Sequence, residues 1–347
     1  MNLLTITAPV AYLRDMMRNI LTSMALIAIS TAASAQQSAA QTDSLMARAA
    51  RWRDAANYTE AINLYSQVKT DEASLATADT YLEMGNVVAA LDRAKALQRD
   101  EAFALKDDAR LIEARCRQRQ GYDRAARRIY AKLTRQGHAE AAFYYADMMS
   151  QKGHFSIASS LCQTAIAKKP ALTPAHLLLA QSEAALGHRY QTLLPLMRYL
   201  LTASDDGRAQ NADLLAQLWR KGWGGLDPLA KRTPEEPYSQ QVEAAIDSLI
   251  AAIPTSGGSP ADLIENIAER TDSLAAFLRA TGEEDLDFFQ VAYADFLIEA
   301  HVRGFIRPMV YFFFTSLYHA EVLTWLSENA GYFNEFRLWV EGRTARL

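Results

Sequence analysis

The sequence predicts an all-α fold in which helical hairpins stack into a solenoid and a bundle of helices follows at the carboxyl end. Half of its 347 residues are hydrophobic and only ten are prolines, so the chain is able to bury a large core. Turn residues recur 29 to 36 positions apart, at residues 56, 85, 121, 153 and 187. After residue 238 the apolar residues keep a helical spacing but lose this repeat.

Small side chains occupy constant positions on both sides of each turn. They lie seven residues before the turn and five residues after it, where they allow the two helices of a hairpin to approach closely. Thr192 breaks the second series. Pro170 is expected to end the second helix of the fourth hairpin, because proline cannot continue the hydrogen-bond ladder. The small residues are Ala49, Ala78, Ala114, Ala146 and Ala180 before the turns and Ala61, Ala90, Ala126 and Ala158 after them.

This pattern over residues 43–201 resembles the tetratricopeptide repeat, which has a period of about 34 residues and one helical hairpin per unit. Trp52 and Tyr81 occupy the aromatic site of the family's first helix, and Tyr65 and Tyr130 occupy one in its second helix. Ala56 takes the place of the turn glycine in the first unit. The aromatic of the first helix is replaced in the last three units, by Arg117, Met149 and Glu183. A hairpin array of another class is the alternative.

The domain organisation follows from the point where the repeat fades. We expect a repeat array over residues 43–225, with a capping helix over residues 211–225 that covers the last apolar face. Residues 226–258 are expected to form a linker and a connecting helix, and residues 259–347 a C-terminal helical region. Ser259 and Pro260 are typical of a helix start, and Thr281 is expected to begin a further helix through a capping box. The aromatic residues after Met309 are expected to be core.

The first 35 residues are typical of a secretory signal peptide. Arg14 and Arg18 precede an apolar run from Ile20 to Ile29, and cleavage is expected after Ala35. A helix of ten residues reaches about 15 Å, whereas the core of a bilayer is about 30 Å thick. Translation from Met17 would give a more typical signal. We therefore expect an exported, periplasmic protein with no stable membrane insertion after cleavage, although full secretion is left open.

The charge of the chain predicts no nucleic-acid partner. The formal net charge is −4 and the pI is near 5.9, so no overall basic field attracts nucleic acid. A dense arginine run in the third unit can attract an acidic partner, but a solvated surface is the favoured interpretation. The run comprises Arg110, Arg115, Arg117, Arg119, Arg124, Arg127, Arg128, Lys132 and Arg135.

The resemblance implies a groove, lined by the first helices of the hairpins, that holds an extended peptide or a partner helix. The lysines with which the family's peptide clamps hold a carboxylate are missing, because apolar residues occupy the fifth position of each first helix. These are Met46, Leu75, Leu111, Phe143 and Leu177, with Asp79, Arg115, Asp147 and Gln181 at the ninth position. The same row could instead pack between the repeats or under the C-terminal bundle, and packing is the favoured interpretation.

Sequence motifs of catalysis are missing. The chain contains no HExxH, GxSxG, phosphate-binding glycine loop or paired CxxC, and we expect no cofactor and no metal, even at the equivalent His154 and His188. Cys116 and Cys162 are expected to be reduced and buried. The sequence thus favours a non-enzymatic interaction scaffold of undetermined oligomeric state. An enzyme with its site in the C-terminal region is the alternative, with Glu299, His301, His319 and Glu321 as its candidate residues.

Overall fold

The computed structural model describes residues 40–220, 237–253, 259–281 and 287–344, and within these ranges every regular element is a helix. The predicted all-α class is confirmed. The predicted signal peptide lies outside the described residues, as do the ends of the predicted capping helix and linker. No helix in the described ranges is both long and apolar enough to cross a membrane. The chain divides into two compact units, residues 1–129 and residues 130–347.

The first unit consists of consecutive antiparallel helices. Its elements are α1 (residues 40–54), α2 (Tyr58–Tyr65), α3 (Asp71–Glu83), α4 (Val87–Arg99), α5 (Lys106–Arg119) and the start of α6 (Asp123–Arg135). From α2 to α5, each helix packs against the next. Side-chain caps begin three of these helices: Asn57 accepts a hydrogen bond from the Glu60 amide at 3.4 Å, Thr70 accepts one from Ala73 at 3.2 Å, and Asn86 accepts one from Ala89 at 3.1 Å. Consecutive pairing is the predicted hairpin order.

The predicted turns reverse the chain through left-handed backbone conformations. The φ angle is 87° at Gly85, 79° at Gly121, 75° at Gly153 and 86° at Gly187, values that glycine adopts without a steric penalty. Ala56 has a φ of 57°, and no other residue except glycine has a positive φ in the described part of the chain. The turn of the first hairpin therefore has the same left-handed backbone geometry, although the Cβ of Ala56 makes this geometry sterically unfavourable.

The small residues predicted at the helix crossings are fully buried. Ala49 and Ala61 belong to one cluster that joins α1 and α2, and Ala78 and Ala90 belong to one that joins α3 and α4. The whole series has an exposed fraction of 0%, including Thr192. Its members are Ala49, Ala61, Ala78, Ala90, Ala114, Ala126, Ala146, Ala158, Ala180 and Thr192.

The second unit continues the hairpins and adds the C-terminal helices. Its elements are the end of α6, α7 (Ala139–Ser150), α8 (Phe155–Lys168), α9 (Thr173–Leu186), α10 (Arg189–Thr202), α11 (Asp205–Leu218), α12 (Pro237–Ala252), α13 (Pro260–Ala280), a π-helical turn (Gln290–Ala294), α14 (Asp295–Val302), α15 (Ile306–Phe313), α16 (His319–Glu328) and α17 (Ala330–Thr344). As predicted, α8 ends two residues before Pro170.

Helix α10 lies at the centre of the second unit. Every residue from Arg189 to Leu201 is buried, because α9, α11, α12, α15 and the π-helical turn all pack against this helix. Helix α13 is the centre of the C-terminal bundle and contacts α12, α14, α15 and α16. The last hairpin and the bundle thus share one core. The boundary between the two units falls inside α6.

Two helix ends differ from the sequence predictions. Helix α11 begins at Asp205, where the Ser204 side chain accepts a hydrogen bond from the Gly207 amide at 3.3 Å, six residues before the expected start of the capping helix. Thr281 is the C-terminal cap of α13 and donates its hydroxyl to the Leu278 carbonyl at 3.1 Å. The remainder of the expected capping box, residues 282–284, lies outside the described residues. Ser259 caps α13 as predicted.

The left-handed turn at Ala56 gives a testable prediction. We expect Ala56→Gly to raise the free energy of unfolding by about 0.5–1 kcal/mol, because glycine removes the clash between Cβ and the backbone. Urea unfolding measures this change. The matched control is Ala55→Gly, one residue earlier and without a positive φ, which is expected to be neutral or destabilising. Equal effects of the two variants would contradict the strain at Ala56.

Candidate functional site

The predicted groove residues of the first unit are only partly accessible. Met46 and Leu75 are half-buried, and each packs against the alanine cluster of its own hairpin. Leu111 has an exposed fraction of 7%, so it belongs to the interior. Asp79 and Arg115 form an ion pair between α3 and α5. These two ninth-position side chains therefore bind each other across successive hairpins.

In the second unit, the predicted groove residues remain closer to solvent. Phe143 on α7 and Leu177 on α9 are half-buried, and Gln181 is exposed. The Asp147 carboxylate accepts a hydrogen bond from Gln151 Nε2 on the same helix at 2.7 Å, and burial raises the pKa of Asp147. Phe143 and Leu177 thus offer partly exposed apolar carbon close in sequence to the polar side chains of Asp147 and Gln181.

The arginine run divides into structural and exposed members. Arg119 Nη1 donates to the Leu82 carbonyl at 2.7 Å, and Arg117 pairs with Glu113 on the same helix at 3.2 Å. The basic side chains of the run that lie on α6 are exposed to solvent, which agrees with the interpretation of the run as a solvated surface. The exposed members of the run on α6 are Arg124, Arg127, Arg128, Lys132 and Arg135.

A buried polar cluster joins α8, α9 and α10 and was missed in the sequence. The Glu183 carboxylate accepts a hydrogen bond from the Ser159 hydroxyl and lies 2.7 Å from His188 Nδ1. All three side chains are buried. Glu183 stands at the repeat position where Trp52 and Tyr81 carry aromatic rings, so the signal was a carboxylate at an apolar position. His154, the other histidine considered for a metal, is exposed.

His176 connects the fifth hairpin to the π-helical turn. Its Nε2 lies 2.8 Å from the Pro170 carbonyl and its Nδ1 lies 2.8 Å from the Tyr293 hydroxyl. Burial lowers the pKa of His176 to about 4, so the ring is neutral at pH 7. A carbonyl only accepts, so Nε2 carries the proton and the Tyr293 hydroxyl donates to Nδ1.

Two candidate residues of the enzyme alternative, Glu299 and His301, bond to different helices. Glu299 accepts a hydrogen bond from Trp339 Nε1 at 3.0 Å and pairs with Arg343 at 2.5 Å, both on α17. His301 Nδ1 instead lies 2.8 Å from Asp272 on α13. Glu299 and His301 are two residues apart on α14, so their side chains point in different directions and contact different helices. The side chain of His319 lies outside the described residues.

Both cysteines are free thiols inside helices. Cys116 on α5 and Cys162 on α8 are fully buried, as expected. Burial raises the pKa of Cys116 to about 11 and raises that of Cys162 further. Since the thiolate is the reactive form, both side chains act as small apolar groups at neutral pH.

The low pKa of His176 predicts a loss of stability in acid. The ordinary pKa of histidine is about 6.5 and the folded value is about 4, so below pH 6.5 the unfolded chain binds more protons and the free energy of unfolding falls. Between pH 7 and pH 4.5 the loss should be about 2 kcal/mol. Urea unfolding of the wild type and of His176→Gln, whose amide does not titrate, isolates this term. Parallel pH profiles of the two proteins would contradict it.

Comparisons with known proteins add no family to this geometry. The chain matches no protein-family model, and a search of curated proteins finds no relative. The resemblance to tetratricopeptide repeats therefore rests on the spacing of turn residues and small residues in the sequence alone.

Proposed function

We propose that this protein is a non-enzymatic scaffold of the bacterial cell envelope, built from tetratricopeptide-like hairpins that hold a partner protein or peptide. The binding surface is the face of the first helices within residues 43–222. The observation that supports it is the half-buried state of apolar side chains at the same position of four of the five first helices. A core residue would be fully buried, whereas these four side chains keep part of their carbon surface exposed: Met46, Leu75, Phe143 and Leu177.

The chemistry of this surface favours an apolar partner segment over a charged terminus. Burial of apolar area contributes about 25 cal/mol per Å², and the half-exposed side chains on α7 and α9 supply that area. The exposed amide of Gln181 can donate and accept hydrogen bonds and thereby fix the register of the segment. Asp79 and Arg115 already bind each other, so they contribute little to a partner. An amphipathic helix or an extended apolar peptide fits these groups.

Photo-crosslinking in the cell envelope tests the surface. A photoreactive amino acid at position 181 is expected to capture a defined partner, which mass spectrometry identifies. The matched control places the same amino acid at Ser160, an exposed position of the second helix α8. Capture of the same partner at both positions would contradict binding through the first helices.

Substitutions then measure the contribution of the row. We expect Leu177→Asp to weaken binding of the captured partner at least tenfold, because a carboxylate opposes burial of the apolar segment. Ile157→Asp is the control, since Ile157 is an apolar side chain of α8 with an exposed fraction of 50%. Circular dichroism must show that both variants stay helical. Unchanged affinity in folded Leu177→Asp protein would place the binding site elsewhere.

Export is a separate expectation of the proposal. Expression of the full chain in a bacterium should yield a periplasmic protein whose N-terminus is Gln36, because processing follows Ala35. A chain without residues 2–35 is the control and should stay in the cytoplasm. Intact residues 1–35 on the purified protein, measured by its mass, would overturn this part of the proposal.

A further inference from the structure

A cavity of 330 Å³ lies inside the second unit, between α10, the π-helical turn, α14, α15 and α17. Its volume is at the lower end of the range for small-molecule sites. Buried apolar side chains of α10 and α15 form much of its wall, among them Leu194, Met197 and Met309. Val291 also lines the cavity and has an exposed fraction of 66%. Solvent therefore reaches the cavity on the side of Val291.

Arg198 of α10 is the one deeply buried cation in this wall. Its exposed fraction is 8%, and its Nη1 atom is fully buried with no hydrogen-bond partner in the described part of the chain. An arginine keeps its proton at every physiological pH. A buried guanidinium without a counter-ion costs several kcal/mol, so Arg198 is a charge that the folded chain itself does not neutralise.

The neighbouring polar groups leave this charge uncompensated. The Tyr293 hydroxyl is hydrogen-bonded to His176, and burial raises the pKa of Tyr293 well above its usual range, so that the ring stays neutral. Arg343 is a second cation and binds Glu299 at 2.5 Å. Asp295 lines the cavity from an exposed position, but it makes no ion pair with Arg198 in the described structure.

We propose that this cavity binds a small organic monocarboxylate with an apolar body, whose carboxylate accepts hydrogen bonds from the edge of the Arg198 guanidinium that lines the cavity. The guanidinium fork matches the planar geometry of a carboxylate. The apolar body lies against Leu194, Met197 and Met309. A single negative charge suits the site, because Arg343 is already paired and the carboxylate of Asp295 would repel a second charge.

Calorimetric titration of the purified chain with octanoate tests the site. Octan-1-ol carries the same body without the charge, and inorganic phosphate carries charge without the body. We expect octanoate to bind at least tenfold more tightly than either control, with an affinity that falls as salt is added.

The variant Arg198→Met separates a ligand site from a structural arginine. It is expected to lose at least tenfold in octanoate affinity and to raise the melting temperature of the unliganded protein by a few degrees, because the unpaired charge is gone. A structural arginine would instead give a lower melting temperature and an unchanged affinity. That pair of results would overturn the proposal.

A pair of variants at the mouth tests the proposal even if Arg198→Met fails to fold. Val291→Glu and Val291→Lys differ only in the sign of one exposed charge. Octanoate should bind several-fold more weakly to the Glu variant than to the wild type and several-fold more tightly to the Lys variant. Equal affinities of the two variants would overturn the proposal. So would binding of octan-1-ol or phosphate that is as tight as binding of octanoate.

Discussion

The close contact of two helices at a pair of alanines is the interaction on which each hairpin depends. Ala78 and Ala90 are fully buried in one cluster, and the left-handed turn at Gly85 between them brings the helices together. Larger neighbours such as Leu82 and Leu91 can pack around the crossing only because the crossing itself is narrow. A bulky side chain at either alanine would separate the helices and open the core along their length.

Because α10 is buried on all sides, its polar side chains depend on hydrogen-bond partners inside the second unit. A helix that loses every solvent-facing side must place its polar groups inside the protein. Arg189 does so by pairing with Asp247 of α12 at 2.7 Å, and the Tyr190 amide donates to Glu243 at 2.5 Å. These bonds fasten α12 to the last hairpin. Arg198 forms no such bond in the described part of the chain.

Local backbone chemistry explains which features the sequence predicted. The turn at Gly153 and the helix end before Pro170 follow from the conformations of single residues, which are legible without knowledge of the fold. The bond between His176 and Tyr293 joins residues 117 positions apart, and no local pattern encodes it. Thr281 was not predictable from its neighbours in the sequence, since a threonine can cap the start of one helix or the end of another. The groove row was predictable as apolar, but the burial of Leu111 depends on neighbouring hairpins.

The cluster of Glu183, Ser159 and His188 restricts how the array could evolve. Ser159 of the fourth hairpin donates its hydroxyl to Glu183 of the fifth hairpin, whereas His188 contacts Glu183 within that same hairpin. Duplication of a unit between α8 and α9, or exchange of their order, would remove the Ser159 hydroxyl and leave His188 as the partner of the buried carboxylate. Arrays of identical units tolerate such rearrangement because their interfaces are interchangeable. At this junction the interface is specific to its two hairpins, and the hydrogen bond between Ser159 and Glu183 constrains their number and order.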